Sequence, residues 1–214
     1  MSFEDIDHRP RRAALVERLR STGEIRTVRV LDAFARVPRH LFVPPAQVAH
    51  AYEDRALPLQ EGQTISQPTM IGIMLEALDC RPTDRALEVG AGCGYAAALL
   101  ACLVAHVDAI EIRGSLAQLA RGNLAAAGVE NVTIHRGDGQ HGLPECGPFR
   151  RIMVSAGAPC VPERLLEQLA PGGRIAVPVD HVGGQVLRIG ERSSDGMLHW
   201  WSSVHCLFVP LVTG

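Results

Sequence analysis

A chain of 214 residues with 47% hydrophobic and 21% charged residues can bury one sizeable core, which excludes a disordered chain. The formal net charge of -2 supplies no electrostatic pull on nucleic acid, and no nucleic-acid partner is expected. All 21 basic residues are arginine, so a Walker-type phosphate loop, a pyridoxal Schiff base and a Ser-x-x-Lys nucleophile, each needing a lysine, drop out.

The first eight residues lack the basic start and apolar run of a signal peptide. No apolar stretch is long enough to span a bilayer, so a cytoplasmic protein with no membrane partner is expected. Arg9, Arg11, Arg12, Arg18 and Arg20 are interleaved with acids and read as a solvated helix face. Residues 1–80 read as helices and loops, with helical apolar spacing over 13–19 and 28–37, broken by Pro38, Pro44 and Pro45. From Asp84 the pattern changes to short apolar strands at 85–89, 106–112, 132–136, 152–155 and 174–178. Helices at 95–103, 115–127 and 162–169 separate them. Gly128 ends the second of these helices, and Pro171-Gly172-Gly173 reads as a turn before the fifth strand. Residues 185–189 and 197–208, separated by Ser-Ser-Asp-Gly, read as an antiparallel hairpin.

The alternation predicts an α/β fold, a doubly wound and mostly parallel sheet with a C-terminal antiparallel hairpin and an N-terminal helical segment. Residues 1–80 are expected to pack on a core of 81–214 as one compact domain. The six cysteines form no C-x-x-C pair and the nine histidines no i, i+4 pair, so neither disulfides nor a metal site is expected.

The most informative segment runs Leu87-Glu88-Val89-Gly90-Ala91-Gly92-Cys93-Gly94-Tyr95, a strand ending in a glycine loop that opens a helix. Glycines there let the backbone turn sharply and approach a ligand closely. The dinucleotide fingerprint places its third glycine where Tyr95 stands, so an uncharged or cationic ligand fits better than a pyrophosphate. In doubly wound sheets the ligand lies beyond the carboxyl ends of the strands. Glu111 ends the second strand at the spacing of an acid that hydrogen-bonds a ribose diol, a solvated carboxylate being the alternative. Gly137-Asp138-Gly139 ends the third, where Asp138 meets an adenine amino group or simply makes a turn. Together the strand ends suggest an adenosine without a diphosphate.

These residues resemble the class I S-adenosylmethionine-dependent methyltransferases, a Rossmann-like fold. The resemblance implies S-adenosyl-L-methionine as cofactor and S-adenosyl-L-homocysteine as product. It carries cofactor contacts onto Glu88, Gly90, Gly92, Gly94, Tyr95, Glu111, Ile112, Asp138 and Gly139. A second motif narrows the family. The segments 37–44 (Val-Pro-Arg-His-Leu-Phe-Val-Pro), 52–59 (Tyr-Glu-Asp-Arg-Ala-Leu-Pro-Leu) and 62–68 (Gly-Gln-Thr-Ile-Ser-Gln-Pro), with the closing Phe208-Val209-Pro210-Leu211, resemble the protein-L-isoaspartate O-methyltransferase family. That resemblance implies methyl transfer to the α-carboxylate of L-isoaspartyl residues in damaged proteins or peptides, followed by succinimide formation and repair. It implies Ser66 as the active-site residue that orients the substrate carboxylate, and Gln63, Thr64 and Ile65 as cofactor-lining neighbours.

Ser66 fits a helix N-cap before Pro68 equally well. No Gly-x-Ser-x-Gly elbow is present, which argues against serine hydrolysis. His40 is expected to pack or cap a turn. Cys93, Ala96, Arg150, Thr69 and the run 155–159 depart from the usual family pattern. Two rival readings stand beside the repair enzyme. One is a relative that methylates aspartate of a biosynthetic peptide to form an aspartimide, commonly with an added C-terminal region. The other is a non-catalytic cofactor-binding protein. A monomer is expected.

Overall fold

The computed structural model describes residues 7–214. Helices α1 (Arg9–Ser21) and α2 (Val28–Arg36) open the chain. Short 3-10 turns at Arg39–Phe42 and Pro45–His50 follow, where prolines forbid a continued helix. A two-stranded ribbon pairs β1 (Leu57–Pro58) with β2 (Thr64–Ile65), and α3 (Pro68–Leu78) leads to the main sheet.

That sheet contains β3 (Arg85–Val89), β4 (His106–Glu111), β5 (Val132–Arg136), β6 (Phe149–Val154), β7 (Leu169–His181), β8 (Gly184–Arg192) and β9 (Leu198–Cys206), in the spatial order β5-β4-β3-β6-β7-β8-β9. The first five are mutually parallel, and β8 and β9 are antiparallel. The central strands are buried along Ala86–Val89 and Arg151–Val154, as strands covered on both faces must be. Helices α4 (Tyr95–Ala101), α5 (Gly114–Ala126) and α6 (Glu163–Glu167) complete the layers. Residues of α1 through α5, among them Leu19, Phe34, Leu75, Leu99 and Ala120, join the sheet's Ala86, Val107 and Met153 in one buried cluster. The other sheet face packs Leu87, Ile110 and Ile152 against Leu143, Phe149 and Leu165.

The chain lays β4 and β5 on one side of β3 and then returns to place β6 on the other. The crevice beyond the carboxyl ends of β3 and β6 is therefore the switch point where such sheets bind ligands.

Three local expectations change. Pro171-Gly172-Gly173 lies inside β7 and not before it. The local kink is real, with Gly172 at φ +71, but pairing runs on either side of it, Phe149 with Leu169 and Arg151 with Arg174, so the extra residues form a bulge. The antiparallel unit has three strands, because β7 turns directly into β8 with His181 paired to Gly184. Helix α6 has 5 residues, shorter than the 162–169 pattern.

Candidate active site

The glycine loop forms because β3 ends in residues that can leave the extended region. Gly90 takes φ +87, and its N–H donates to the Ile110 carbonyl at 2.9 Å, tying the loop to β4. Gly92 donates its N–H to Glu111 Oε2 at 2.8 Å, so the loop is also fixed by the acid that ends β4. Gly94 takes φ +86 at the start of α4, and a Cβ there would lie 3.3 Å from Ala120 and Leu124. Its glycine thus serves the close approach of α4 and α5.

Gln63, Thr64, Gly90, Gly92, Glu111, Ile112 and Gly139 line one cavity at the switch point. The buried Glu111 carboxylate accepts N–H groups of Gly92 and, at 2.9 Å, Arg113. Arg113 also lines the cavity, yet its guanidinium is paired with Glu61 at 3.0 Å, and Ser115 Oγ donates to the same carboxylate. Glu61 thereby clasps the turn before β2 onto the start of α5. Asp138 precedes the cavity-lining Gly139; its Oδ1 accepts Gln140 N–H and its Oδ2 accepts Gly214 N–H, both at 2.9 Å. These hydrogen bonds hold its carboxyl below the ordinary range against the opposing effect of burial.

An inner cavity shares Thr64, Gly90, Gly92 and Ser155 with the first and adds Ile65, Ser66, Glu88 and Tyr95. Glu88 is fully buried on β3, where desolvation pushes its carboxyl up to about 8. A hydrogen bond from Ser155 Oγ to Oε1 at 2.8 Å opposes that rise, and the nearby Glu111 charge adds to it. Oε2 has no partner among the described residues. The Cys93 thiol is pushed up by burial to about 11, which removes it as a nucleophile at neutral pH.

The Ser66 segment is held from three sides. Arg39 is fully buried, its Nη2 donates to the Ser66 carbonyl at 3.0 Å, and its guanidinium lies 4.7 Å from the Tyr95 ring centroid. Tyr95 also meets Phe42 edge-on at 5.4 Å, so its ring joins the N-terminal segment to α4. Asp54 accepts Thr69 N–H at 2.9 Å and Thr69 Oγ1 at 2.7 Å, capping the start of α3. The N-cap position itself is Gln67, which makes no side-chain cap bond. Ser66 is therefore not the cap, and its half-buried hydroxyl has no hydrogen-bond partner among the described residues. His40 bonds Tyr52 at 2.8 Å and stacks on His8 at 4.0 Å; burial first, then His8 and Arg12, push it down to about 4, so it is a neutral packing residue.

Several site residues escaped the sequence reading. Ser155 and Ala156 follow β6, and the strand-end rule applied to β3, β4 and β5 reaches them as well. Residues 209–212 close the cavity through backbone bonds, Gly157 N–H to Val209 at 2.8 Å and Leu211 N–H to Gly157 at 2.7 Å. Main-chain contacts of that kind leave no side-chain signature. Glu61, Asp54 and Arg39 act through partners distant in sequence.

The family described as Protein-L-isoaspartate(D-aspartate) O-methyltransferase matches residues 10–214. A Protein-L-isoaspartate O-methyltransferase of Roseiflexus castenholzii is 49% identical over 209 residues, covering 98% of this chain and 95% of the relative. A solved protein-L-isoaspartate O-methyltransferase superposes with a TM-score of 0.84 at 28% identity, over 93% of this chain; the match spans 65% of that longer chain. A Plasmodium falciparum structure described as the same enzyme, in complex with S-adenosyl-L-homocysteine, shares the fold with a TM-score of 0.83 at 23% identity, covering 98% of this chain and 100% of the other.

Proposed function

The chain belongs to the protein-L-isoaspartate O-methyltransferase family, and from that premise we propose that the paired cavities at the switch point hold S-adenosylmethionine and that Ser66 orients the substrate. The enzyme is an S-adenosylmethionine-dependent carboxyl O-methyltransferase that acts on L-isoaspartyl residues of proteins and peptides. The observation that carries the cofactor assignment is the charge of the cavity. The Glu111 carboxylate lines it, Glu88 adds a buried carboxyl that keeps its proton at neutral pH, and its one guanidinium, Arg113, is turned onto Glu61. Such a lining suits a sulfonium cation with a ribose diol and has no free cation for a phosphate.

Glu111 accepts the ribose hydroxyls through oxygens already aligned by Gly92 and Arg113 N–H groups. Gly90 and Gly92 give the backbone room, and Ile112, Gly139 and the 209–212 segment form the wall for the base. Gln63 stands with them as a polar contact, Asp138 lies beside the lining Gly139, and Thr64 bridges to the inner cavity that Ile65 lines. Gly94 and Tyr95 shape the loop through packing. When bound, S-adenosylmethionine supplies a methyl group on a positively charged sulfur, and the departing thioether is neutral.

The substrate carboxylate is ionised at neutral pH, with a pKa near ~4, so no general base is required. The neutral, hydrogen-bonded His40 accords with that. Ser66 Oγ donates to the substrate α-carboxylate and orients one oxygen. Ile65 and Ile71 keep water from the inner cavity, where opposite charges that annihilate react faster in a dry site. The methyl ester then cyclises without further help to a succinimide, and its hydrolysis partly restores the normal linkage.

Among the described residues no helix is long and apolar enough to cross a membrane. A cytoplasmic monomer acting as one compact domain, with residues 1–80 folded onto 81–214, completes the reading. Ser66→Ala tests its centre. Loss of one hydrogen bond to a charged group, worth roughly 1.5–3 kcal/mol, lowers kcat/KM on an isoaspartyl peptide by about 10–100-fold. The dissociation constant of S-adenosylhomocysteine stays within about twofold. An equal loss of cofactor affinity, or a collapse of the fold, contradicts the orienting role.

A further inference from the structure

A second cluster of reactive side chains lies on the same sheet, outside the cavities. Asp108 on β4, His135 on β5 and Cys146 in the loop before β6 each offer one ligand atom, and these atoms lie within 4.8 Å of one another. Asp108 is buried three residues before Glu111, roughly 10 Å along the strand at ~3.3 Å per residue. The β4–β5 register places His135 opposite Ile110, on the face that carries Asp108. Asp108 divides its oxygens. Oδ2 accepts Arg85 Nη2 at 2.7 Å, and Oδ1 accepts His135 Nε2 at 2.9 Å. His106 Nε2 lies 3.8 Å from the same Oδ1 and bonds Thr133 Oγ1 at 3.1 Å.

A Cys-His-Asp trio also suggests a nucleophile with its base and orienter, but the wiring is wrong for that. Cys146 Sγ lies within 4.8 Å of the ligand atoms of both partners, and burial together with Asp108 and Glu145 pushes its thiol above its ordinary range, Arg85 opposing. His135 Nε2 bonds the carboxylate, but among the described residues no hydrogen bond joins the imidazole to the thiol it would have to activate. A thiol, an imidazole and a carboxylate oxygen converging at one point match a borderline-soft divalent cation instead.

We propose that Asp108 Oδ1, His135 and Cys146 Sγ form a binding site for a zinc-like divalent cation, distinct from the methyl-transfer site. Tetrahedral zinc with bonds near 2.0–2.3 Å places its ligands about 3.3–3.8 Å apart, so the Asp108–His135 pair, now 2.9 Å apart, opens by a few tenths of an ångström while Cys146 Sγ, within 4.8 Å of both, closes by roughly 1 Å to meet the ion. A fourth position is left for water, with His106 adjacent. Arg85 on Oδ2 then fixes the carboxylate from outside, as partners of metal ligands commonly do. On binding, the Cys146 thiol releases its proton to solvent and the His135 proton resides on Nδ1. Thiolate and carboxylate together balance the two charges of the ion. Ligands drawn from two strands and a loop leave no short-range spacing, which is why the sequence motifs showed no metal site.

The test uses cobalt(II) as the probe, titrated into the full chain after chelator treatment. One equivalent is expected to give the visible bands of tetrahedral cobalt and a near-ultraviolet thiolate charge-transfer band, both abolished by zinc. Cys146→Ser removes the charge-transfer band and weakens binding by at least about 10–100-fold, the range seen even for outer-shell losses. His135→Ala weakens it similarly, and Cys160→Ser, at an exposed thiol elsewhere, leaves the spectrum intact. Absence of the bands in the unaltered protein, or their survival in Cys146→Ser, overturns the proposal. Neither readout depends on methyl transfer.

Discussion

Replacement of Glu88 by glutamine isolates the buried carboxyl of the inner cavity. Its carboxyl titrates at about 8 in the folded protein against 4.5 for an ordinary glutamate, chiefly because burial disfavours the charged form. Between those values the unfolded chain has lost a proton that the folded chain keeps, so stability falls as pH rises from the lower toward the higher. This is opposite to the usual acid whose charge is favoured by folding. The linkage relation gives a loss of about 3 kcal/mol between pH 5 and pH 8 from this group alone. Glu88→Gln keeps an oxygen to accept the Ser155 hydroxyl bond and carries no titrating proton. In urea unfolding across that range, the variant is expected to lose about 3 kcal/mol less stability than the parent, a difference of roughly 6–12 °C in Tm. Subtracting the two profiles cancels the other titrating groups. Parallel pH profiles would show that Glu88 is ionised throughout and would refute the desolvation argument.

Two further substitutions separate cofactor binding from architecture. Glu111→Gln turns an amide NH2 toward one of the two backbone N–H groups that the carboxylate now accepts, and removes an acceptor from the cavity. Isothermal titration with S-adenosylhomocysteine is expected to show about 10–100-fold weaker binding; unchanged affinity contradicts the ribose assignment. Asp54→Ala removes the cap of α3 and is expected to cost about 1–2 kcal/mol, lowering Tm by roughly 3–8 °C, whereas Ser66→Ala leaves Tm nearly unchanged. The reverse pattern would return the capping role to Ser66.

Much of the core was legible because buried parallel strands are short apolar runs whose ends are marked by glycine and acid. The loop after Val89 and the acid at Glu111 needed no tertiary information, and both meet at the cavity. What escaped depends on partners remote in sequence. On paper only Ser66 stands where a cap of α3 would, and it takes the fold of the 52–59 loop to bring Asp54 to that place. Pro171-Gly172-Gly173 has turn chemistry, yet pairing with β6 on both sides makes it a bulge. Tyr95 stands at a ligand-facing position of the loop, but the Arg39 guanidinium and Phe42 draw its ring into the packed core. The Asp108, His135 and Cys146 cluster exists only once β4 and β5 are in register.

The most direct test of the central claim compares two peptides that differ only in carrying L-isoaspartate or L-aspartate at one position. With S-adenosylmethionine labelled in its methyl group, the protein is expected to esterify the isoaspartyl peptide and leave the aspartyl peptide essentially unlabelled. Equal labelling of both, or labelling of neither while the cofactor binds, would contradict it.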